Sequence, residues 1–238
     1  MQTFDQYRDN YKEVVQRSID FVGLQYDFFV KAKTRIIKQL AATKHLDPAA
    51  EANLLDVGCG VGGLHGALAG TFGRICGVDV SEKSIEAATR RNPRFEYRVM
   101  TGNSIPYPAG VFDMATAINV LHHVDPTSWQ LVVLELKRVV RPNGLVCVIE
   151  HNPFNPLTRL AMLRCPFDKD AHLLSAAQAR RLLEGAGLTN VRSSHFLLTP
   201  FSSAVAHRVE QWFGRLPVGA QYVATGERPI NDCAECFV

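Results

Sequence analysis

Asn53-Leu54-Leu55-Asp56-Val57-Gly58-Cys59-Gly60-Val61-Gly62-Gly63 is the stretch that decides the fold. An apolar run ends in an acid, a glycine-rich turn follows, and residues 64–69 read as a helix. Strand, tight loop and helix in that order form the first unit of a nucleotide-binding α/β sheet. Glycine suits such a loop because the turn needs unusual φ/ψ and the backbone must approach a ligand closely. Two spacings coexist here. Gly58, Gly60 and Gly63 fit G-x-G-x-x-G, whereas Gly58, Gly60 and Gly62 fit G-x-G-x-G. A glycine pattern alone also serves as a plain structural turn.

Asp56 separates the two ligand readings. A carboxylate at the strand end repels a pyrophosphate. It suits S-adenosylmethionine (SAM), which has no phosphate and carries an ammonium and a sulfonium. The stretch resembles motif I of the class I SAM-dependent methyltransferases. An NAD-dependent oxidoreductase reading the dinucleotide pattern stays as a remote alternative.

The next segments bear on the same choice. Residues 74–80 read as a second strand ending in Asp79, and Ser81, Glu82 and Ser84 bring N-capping chemistry to a helix carrying Ile85 and Ala88. Asp79 follows Gly58 by about 20 residues, the distance at which an acid accepts hydrogen bonds from ribose hydroxyls. Val80 is then expected against the adenine face. Residues 95–100 read as a third strand and run into Thr101-Gly102-Asn103-Ser104. This resembles the family motif whose acid meets the adenine amino group. Asn103 replaces the acid, and its side-chain carbonyl can accept from the same amino group. Ser104 offers a backbone N–H or a hydroxyl.

Residues 112–120 read as the fourth strand, which ends near Asn119 and continues into Leu121-His122-His123. Phenylalanine-aspartate, an apolar strand, then leucine-histidine-histidine is an order similar to that of many small-molecule methyltransferases. Ligands of open α/β sheets bind at the carboxyl ends of the strands. Asn119, His122 and His123 are therefore expected at the methyl-transfer end of the cleft. A neutral imidazole can take a proton at physiological pH. A helix over residues 129–140, with Leu131, Leu134, Leu136 and Val139 inward, leads to a turn at 141–144 and a fifth strand at 145–150. Glu150, His151 and Asn152 follow at a strand end, held by prolines that restrict the loop. Residues 154–173 read as a substrate-facing insertion whose polar candidates are Arg159, Cys165 and Asp168. No ligand spacing there is diagnostic of a metal, and none is expected.

The flanks complete the reading. Phe4, Tyr7, Tyr11, Val14 and Val15, then Phe28, Ala32, Ile36 and Leu40, recur at helical spacing on either side of Gly23. Residues 1–44 are expected to be helical, ending before Pro48. The resemblance implies that they form a lid over the SAM pocket, with Tyr11 a cofactor contact. Ser175 caps a helix through Glu184, residues 191–197 are a sixth strand, 203–213 a helix with Trp212 and Phe213 inward, and 220–226 the last strand. Residues 227–238 read as a tail whose Cys233 and Cys236 lack the partners of a zinc site.

Composition narrows the class. The 238 residues, 47% hydrophobic and 21% charged, are enough for one large α/β domain. The net charge of +3 is small. The densest basic group (Arg90, Arg91, Arg94, Arg98) lies at and just after a helix end, where cations complement the helix dipole, so no nucleic-acid partner is expected. Six cysteines form no disulfide framework. There is no charged-then-apolar leader and no run of membrane-spanning length, and a cytoplasmic protein is expected.

Taken together, the resemblance covers residues 50–150 and extends loosely to 226. It implies a Rossmann-like α/β fold: a seven-stranded, mostly parallel sheet of order 3-2-1-4-5-7-6, the last strand antiparallel, with an N-terminal helical lid. The core would span residues 50–226 within a single methyltransferase domain over residues 1–238, acting as a monomer or homodimer. SAM would be consumed and S-adenosylhomocysteine released. The catalytic candidates are His122, His123, Glu150 and His151. Those for SAM are Tyr11, Asp56, Gly58, Gly60, Gly62, Asp79, Val80, Asn103, Ser104 and Asn119. Those for the acceptor are Asn152, Arg159, Cys165 and Asp168. The acceptor is expected to be a hydroxyl of a sugar, polysaccharide precursor or secondary metabolite. N-, C- or S-methylation, and SAM binding without catalysis, remain open.

Overall fold

The computed structural model describes residues 11–44, 52–197 and 216–231. Phe4, Tyr7, Pro48, the helix expected over 203–213 and the Cys233/Cys236 pair lie outside these residues, as does the side chain of Tyr11.

Strands β1 (Asn53–Val57), β2 (Arg74–Asp79), β3 (Glu96–Val99), β4 (Phe112–Ile118), β5 (Val140–His151), β6 (Thr189–Phe196) and β7 (Gln221–Glu227) form one sheet of order β3-β2-β1-β4-β5-β7-β6. The first five strands run parallel, and β7 is antiparallel to both β5 and β6. The expected order and orientation are both observed.

Helices α1 (Tyr11–Ile19), α2 (Tyr26–Thr43), α3 (His65–Leu68), α4 (Glu82–Arg91), α5 (Trp129–Val139), α6 (Pro156–Arg164) and α7 (Ala176–Gly185) accompany the sheet. Neighbouring strand residues point to opposite faces, so Leu54 and Leu55, both fully buried, serve two cores. Leu55 and Val57 pack in a cluster with Leu136 of α5 and Leu183 of α7. Leu54, Met114 and Ile149 pack with Ile37 and Ala41 of α2. Two-sided burial explains why the central strands read as continuous apolar runs rather than as alternation.

Local chemistry sets several boundaries. Ser81 Oγ accepts the Ser84 N–H and caps α4, and Ser175 with Gln178 makes a capping box on α7. Three details depart from the sequence reading. The helix after the glycine loop is only four residues long. The expected turn at 141–144 is a bulge inside β5, because Phe112 pairs with Val140 while Met114 already pairs with Leu145. On α5, Leu131 is 52% exposed, and Trp129, Val132 and Val133 take the inward positions with Leu136 and Val139. Of the four expected inward residues only Leu131 departs; Leu136 and Val139 are buried and Leu134 packs partly against the core.

Candidate active site

A cavity of about 1000 Å³ opens along the carboxyl ends of β1, β2 and β4, under α1 and α2 and beside α6. That is the upper end of small-molecule sites, large enough for two ligands side by side.

The glycine loop forms one end. Gly58, Gly60 and Gly62 all have positive φ, but they serve different purposes. A Cβ on Gly58 would stand 2.4 Å from Val120 Cγ2, so this glycine lets the loop pack on the chain after β4. A Cβ on Gly60 would meet nothing within 4 Å and would project into open space. Gly62 is not on the cavity wall; its Cβ would strike Tyr97 Oη at 2.7 Å on the far side of the loop. Gly62 is thus a packing glycine rather than a ligand contact.

Asp79 anchors the other edge of this end. Its carboxylate accepts the Gly60 N–H and the Ser81 N–H, each at 2.9 Å. Burial raises its pKa against those two donors. Val80 next to it is 39% exposed although apolar, and faces the same space with Asn103. Ser104 is not on the wall, and its N–H is spent on the Thr101 carbonyl. Asp56 lines the floor, but both carboxylate oxygens are engaged. Oδ1 accepts the Thr116 hydroxyl at 2.8 Å and Oδ2 lies 3.1 Å from His65 Nε2.

β4 stops because Asn119 adopts φ 57°, a left-handed conformation that asparagine tolerates better than most residues. The chain then turns through Leu121–His123 as one 3₁₀ turn. Glu150, fully buried at the end of β5, clamps that turn. Its Oε1 accepts the Val120 and Leu121 amides at 2.9 and 2.7 Å, and its Oε2 takes His122 Nδ1–H at 2.6 Å. Glu150 does not line the cavity; it orients the histidine turn instead of facing a substrate.

Asp168, from the segment after α6, completes the cluster. Its Oδ1 lies 3.6 Å from His122 Nε2 and 3.4 Å from His123 Nε2. Burial alone would lower His122, but Glu150 and Asp168 more than offset it and hold the ring at about 9. Burial and the His122 charge push His123 down to about 4 and His151 down to about 3. At neutral pH the three rings therefore carry one positive charge between them, on His122. His122, His123 and Asp168 offer donor atoms within 4.8 Å of one another. The imidazolium and the nearby Lys33 ammonium oppose a metal ion among them.

The remaining acceptor candidates divide. Cys165 and Asp168 line the cavity, as do Leu157, Ala161, Met162 and Phe167. Arg159 is exposed on the outer face of α6, away from the cavity. Asn152 is fully buried and wholly structural: Nδ2 donates to the Pro217 and Gly219 carbonyls, and Oδ1 accepts the Phe154 N–H. Two cavity residues escaped the sequence reading. Lys33 stands between Phe29 and Ile37 on the apolar stripe of α2, an i, i+4 position where a charge is a visible anomaly. Gln221 opens β7, and nothing in its sequence context marks it.

The glycine end fits SAM: an uncapped space beside Gly60, a carboxylate at the strand end and an exposed apolar face beside it. The family model for the methyltransferase domain matches residues 55–148, the stretch that builds this end and the histidine turn. Over residues 55–148 the chain is thus similar to a methyltransferase domain.

An uncharacterized methyltransferase of Synechocystis sp. is 29% identical over 143 residues, covering 58% of this chain and 68% of its own. The 27-O-demethylrifamycin SV methyltransferase of Amycolatopsis mediterranei is 34% identical over 122 residues, covering 48% of this chain but only 43% of the relative. The fold is similar to that of a possible histamine N-methyltransferase from Thermotoga maritima, with a TM-score of 0.67 at 18% identity over 94% of this chain and 98% of that one. No helix among the described residues is long and apolar enough to cross a membrane.

Proposed function

We propose that the protein moves the methyl group of SAM to a hydroxyl of a small molecule with a largely apolar body. The observation that carries this reading is the pairing, in one cavity, of the glycine end with a histidine cluster whose surroundings are apolar. Val15, Phe21, Phe28 and Phe29 from the helices before the sheet face Leu157, Met162 and Phe167 from the segment after β5. Such a lining suits a polyketide-like or aromatic hydroxyl better than a sugar. Among the relatives, the rifamycin enzyme is named for an O-methylation, which agrees with a hydroxyl acceptor.

In this reading Gly58, Gly60, Asp79, Val80, Asn103 and Asn119 hold SAM, with Asp79 on the ribose and Val80 against the adenine. When bound, SAM supplies an electrophilic methyl on a sulfonium. The protein's task is then to place the acceptor oxygen in line and take its proton. His123 is neutral, lines the cavity and has Asp168 beside it to offset the charge it gains. A weakly basic imidazole suffices because a hydroxyl that has gained a methyl cation is strongly acidic. His122, already charged, positions Asp168 and is not the base.

Labelled-methyl transfer from SAM to a panel of phenols, hydroxylated polyketides and sugars tests this. Transfer to apolar hydroxyl compounds, abolished in His123→Ala while calorimetric SAM affinity is retained, is the expected result. Transfer confined to sugars or to amines would overturn the acceptor assignment. SAM binding with no transfer to any compound would favour a binding protein without catalysis.

A further inference from the structure

We propose that Lys33 and Gln221 form an acceptor subsite, for a carboxylate flanked by a hydrogen-bond donor. The inference rests on the methyltransferase reading above and adds a ligand group to it.

Lys33 reaches the cavity from α2, and among the described residues it has no hydrogen-bond or salt-bridge partner. Glu150, Asp56 and Asp168 are the acids close enough to favour its charge. Each is already spent elsewhere: Glu150 on two amides and His122, Asp56 on Thr116 and His65, Asp168 on the two histidines. Burial outweighs them and brings the ammonium down to about 8. A cation held in an apolar cavity without its own counter-ion is a costly arrangement that an incoming anion relieves.

Gln221 is an independent observation. It is 2% exposed, lines the cavity, and its Oε1 has no hydrogen-bond partner. Its Nε2 makes only long contacts, at 3.4 Å, to Asn119 Oδ1 and His151 Nδ1. A buried acceptor left empty is rare and costs free energy until a donor arrives. A cationic donor and an empty acceptor in one cavity match an anion with an N–H or O–H beside it, as in a hydroxy-acid or an amino-acid group. An acidic acceptor brings that group, since both side chains border the histidine cluster: Gln221 Nε2 lies 3.4 Å from His151 Nδ1, and the Lys33 charge bears on Asp168 and His151.

Calorimetry on the full chain separates this acceptor subsite from a contact to the methionine end of SAM. Wild type, Lys33→Met, Lys33→Arg and Gln221→Leu would be titrated with S-adenosylhomocysteine and with methylthioadenosine, which lacks the amino-acid end. The protein saturated with S-adenosylhomocysteine would then be titrated with salicylate and with phenol. A charge-assisted hydrogen bond lost in Lys33→Met should weaken the carboxylate-bearing member of one pair by about tenfold or more. Its carboxylate-free twin should be unaffected, and Lys33→Arg should retain most of the discrimination. Gln221→Leu should weaken the same member. Weaker salicylate binding supports the proposal, and loss confined to S-adenosylhomocysteine overturns it. Unchanged discrimination in both pairs for a folded Lys33→Met overturns the proposal. Lys33→Met removes an uncompensated charge, so its melting temperature should match or exceed that of wild type. Wild-type protein that binds neither nucleoside would instead overturn the methyltransferase reading on which the subsite rests.

Discussion

Replacing Glu150 by glutamine removes one charge and keeps the shape. Glutamine can still accept the Val120 and Leu121 amides through its carbonyl oxygen. Its NH₂ group, however, then faces His122 Nδ1–H, donor against donor, across a native contact of 2.6 Å. The ring must give up its charge and move its remaining proton to Nε2, toward Asp168. Linkage sets the cost. His122 sits at about 9 in the folded protein against 6.5 for a free imidazole, and each pKa unit is worth ~1.4 kcal/mol, so the charged ring contributes ~3 kcal/mol. Its folded value is raised, so this contribution is complete below the unfolded value, about pH 6.5, and is lost as the pH rises through about 9. Asp168 retains part of the effect in the variant. The expected loss is therefore ~2–3 kcal/mol near about pH 6 and less than half of that near about pH 9.5. Urea melts of both proteins at the two pH values, followed by tryptophan fluorescence, measure the gap. A gap of equal size at both, or a His122 ring proton in the wild type that titrates like a free imidazole, would refute the charged-clamp argument.

Three further outcomes are expected. Gly58→Ala should lose ~2–4 kcal/mol of stability, because left-handed strain adds to a Cβ placed 2.4 Å from Val120. Gly60→Ala, with strain but open space, should lose only ~1 kcal/mol and instead weaken SAM binding; paired melts and calorimetry compare them. Turnover that depends on neutral His123, whose pKa is lowered to about 4, should stay flat from roughly pH 5.5 to 8, and His123→Ala should reduce it by about 10²–10⁴-fold. A turnover profile that rises with a midpoint near about 6.5 would point to an unperturbed imidazole. Leu136→Ala should cost ~2–5 kcal/mol and Leu131→Ala less than ~0.5 kcal/mol, since the first is fully buried and the second half exposed.

The strands and the place of the cavity were legible because they follow from local signals, whereas the strand order came from the family resemblance. Apolar runs, the glycine loop and the capping serines each act over a few residues, and a right-handed parallel sheet leaves few ways to connect them. Asp79, Val80, Asn103, Asn119, His122 and His123 reach the cavity for the same reason: each stands at or just past the carboxyl end of a strand. Other candidates are placed by contacts that the sequence does not show. Glu150, a catalytic candidate, and Asn152, an acceptor candidate, both stand at a strand end, and each bonds to groups from distant segments. Asp56 was expected beside the SAM ammonium and sulfonium, and its partners His65 and Thr116 are supplied by a helix turn and a neighbouring strand. Leu131 was misplaced because leucine count outweighed the true phase of α5.

The amino-acid sequence by itself therefore determined the strands, the glycine turn and the order in which polar residues follow them. Those depend on backbone preference and periodicity, which each segment carries alone. Only the tertiary structure decided which of those polar groups remain available. It brings Asp168 from beyond α6 to the two histidines, spends Glu150 on the turn, and leaves Lys33 and Gln221 with unmet bonding capacity. Hydrogen-bond satisfaction and charge pairing are properties of neighbours in space, and a chain does not list those neighbours in order.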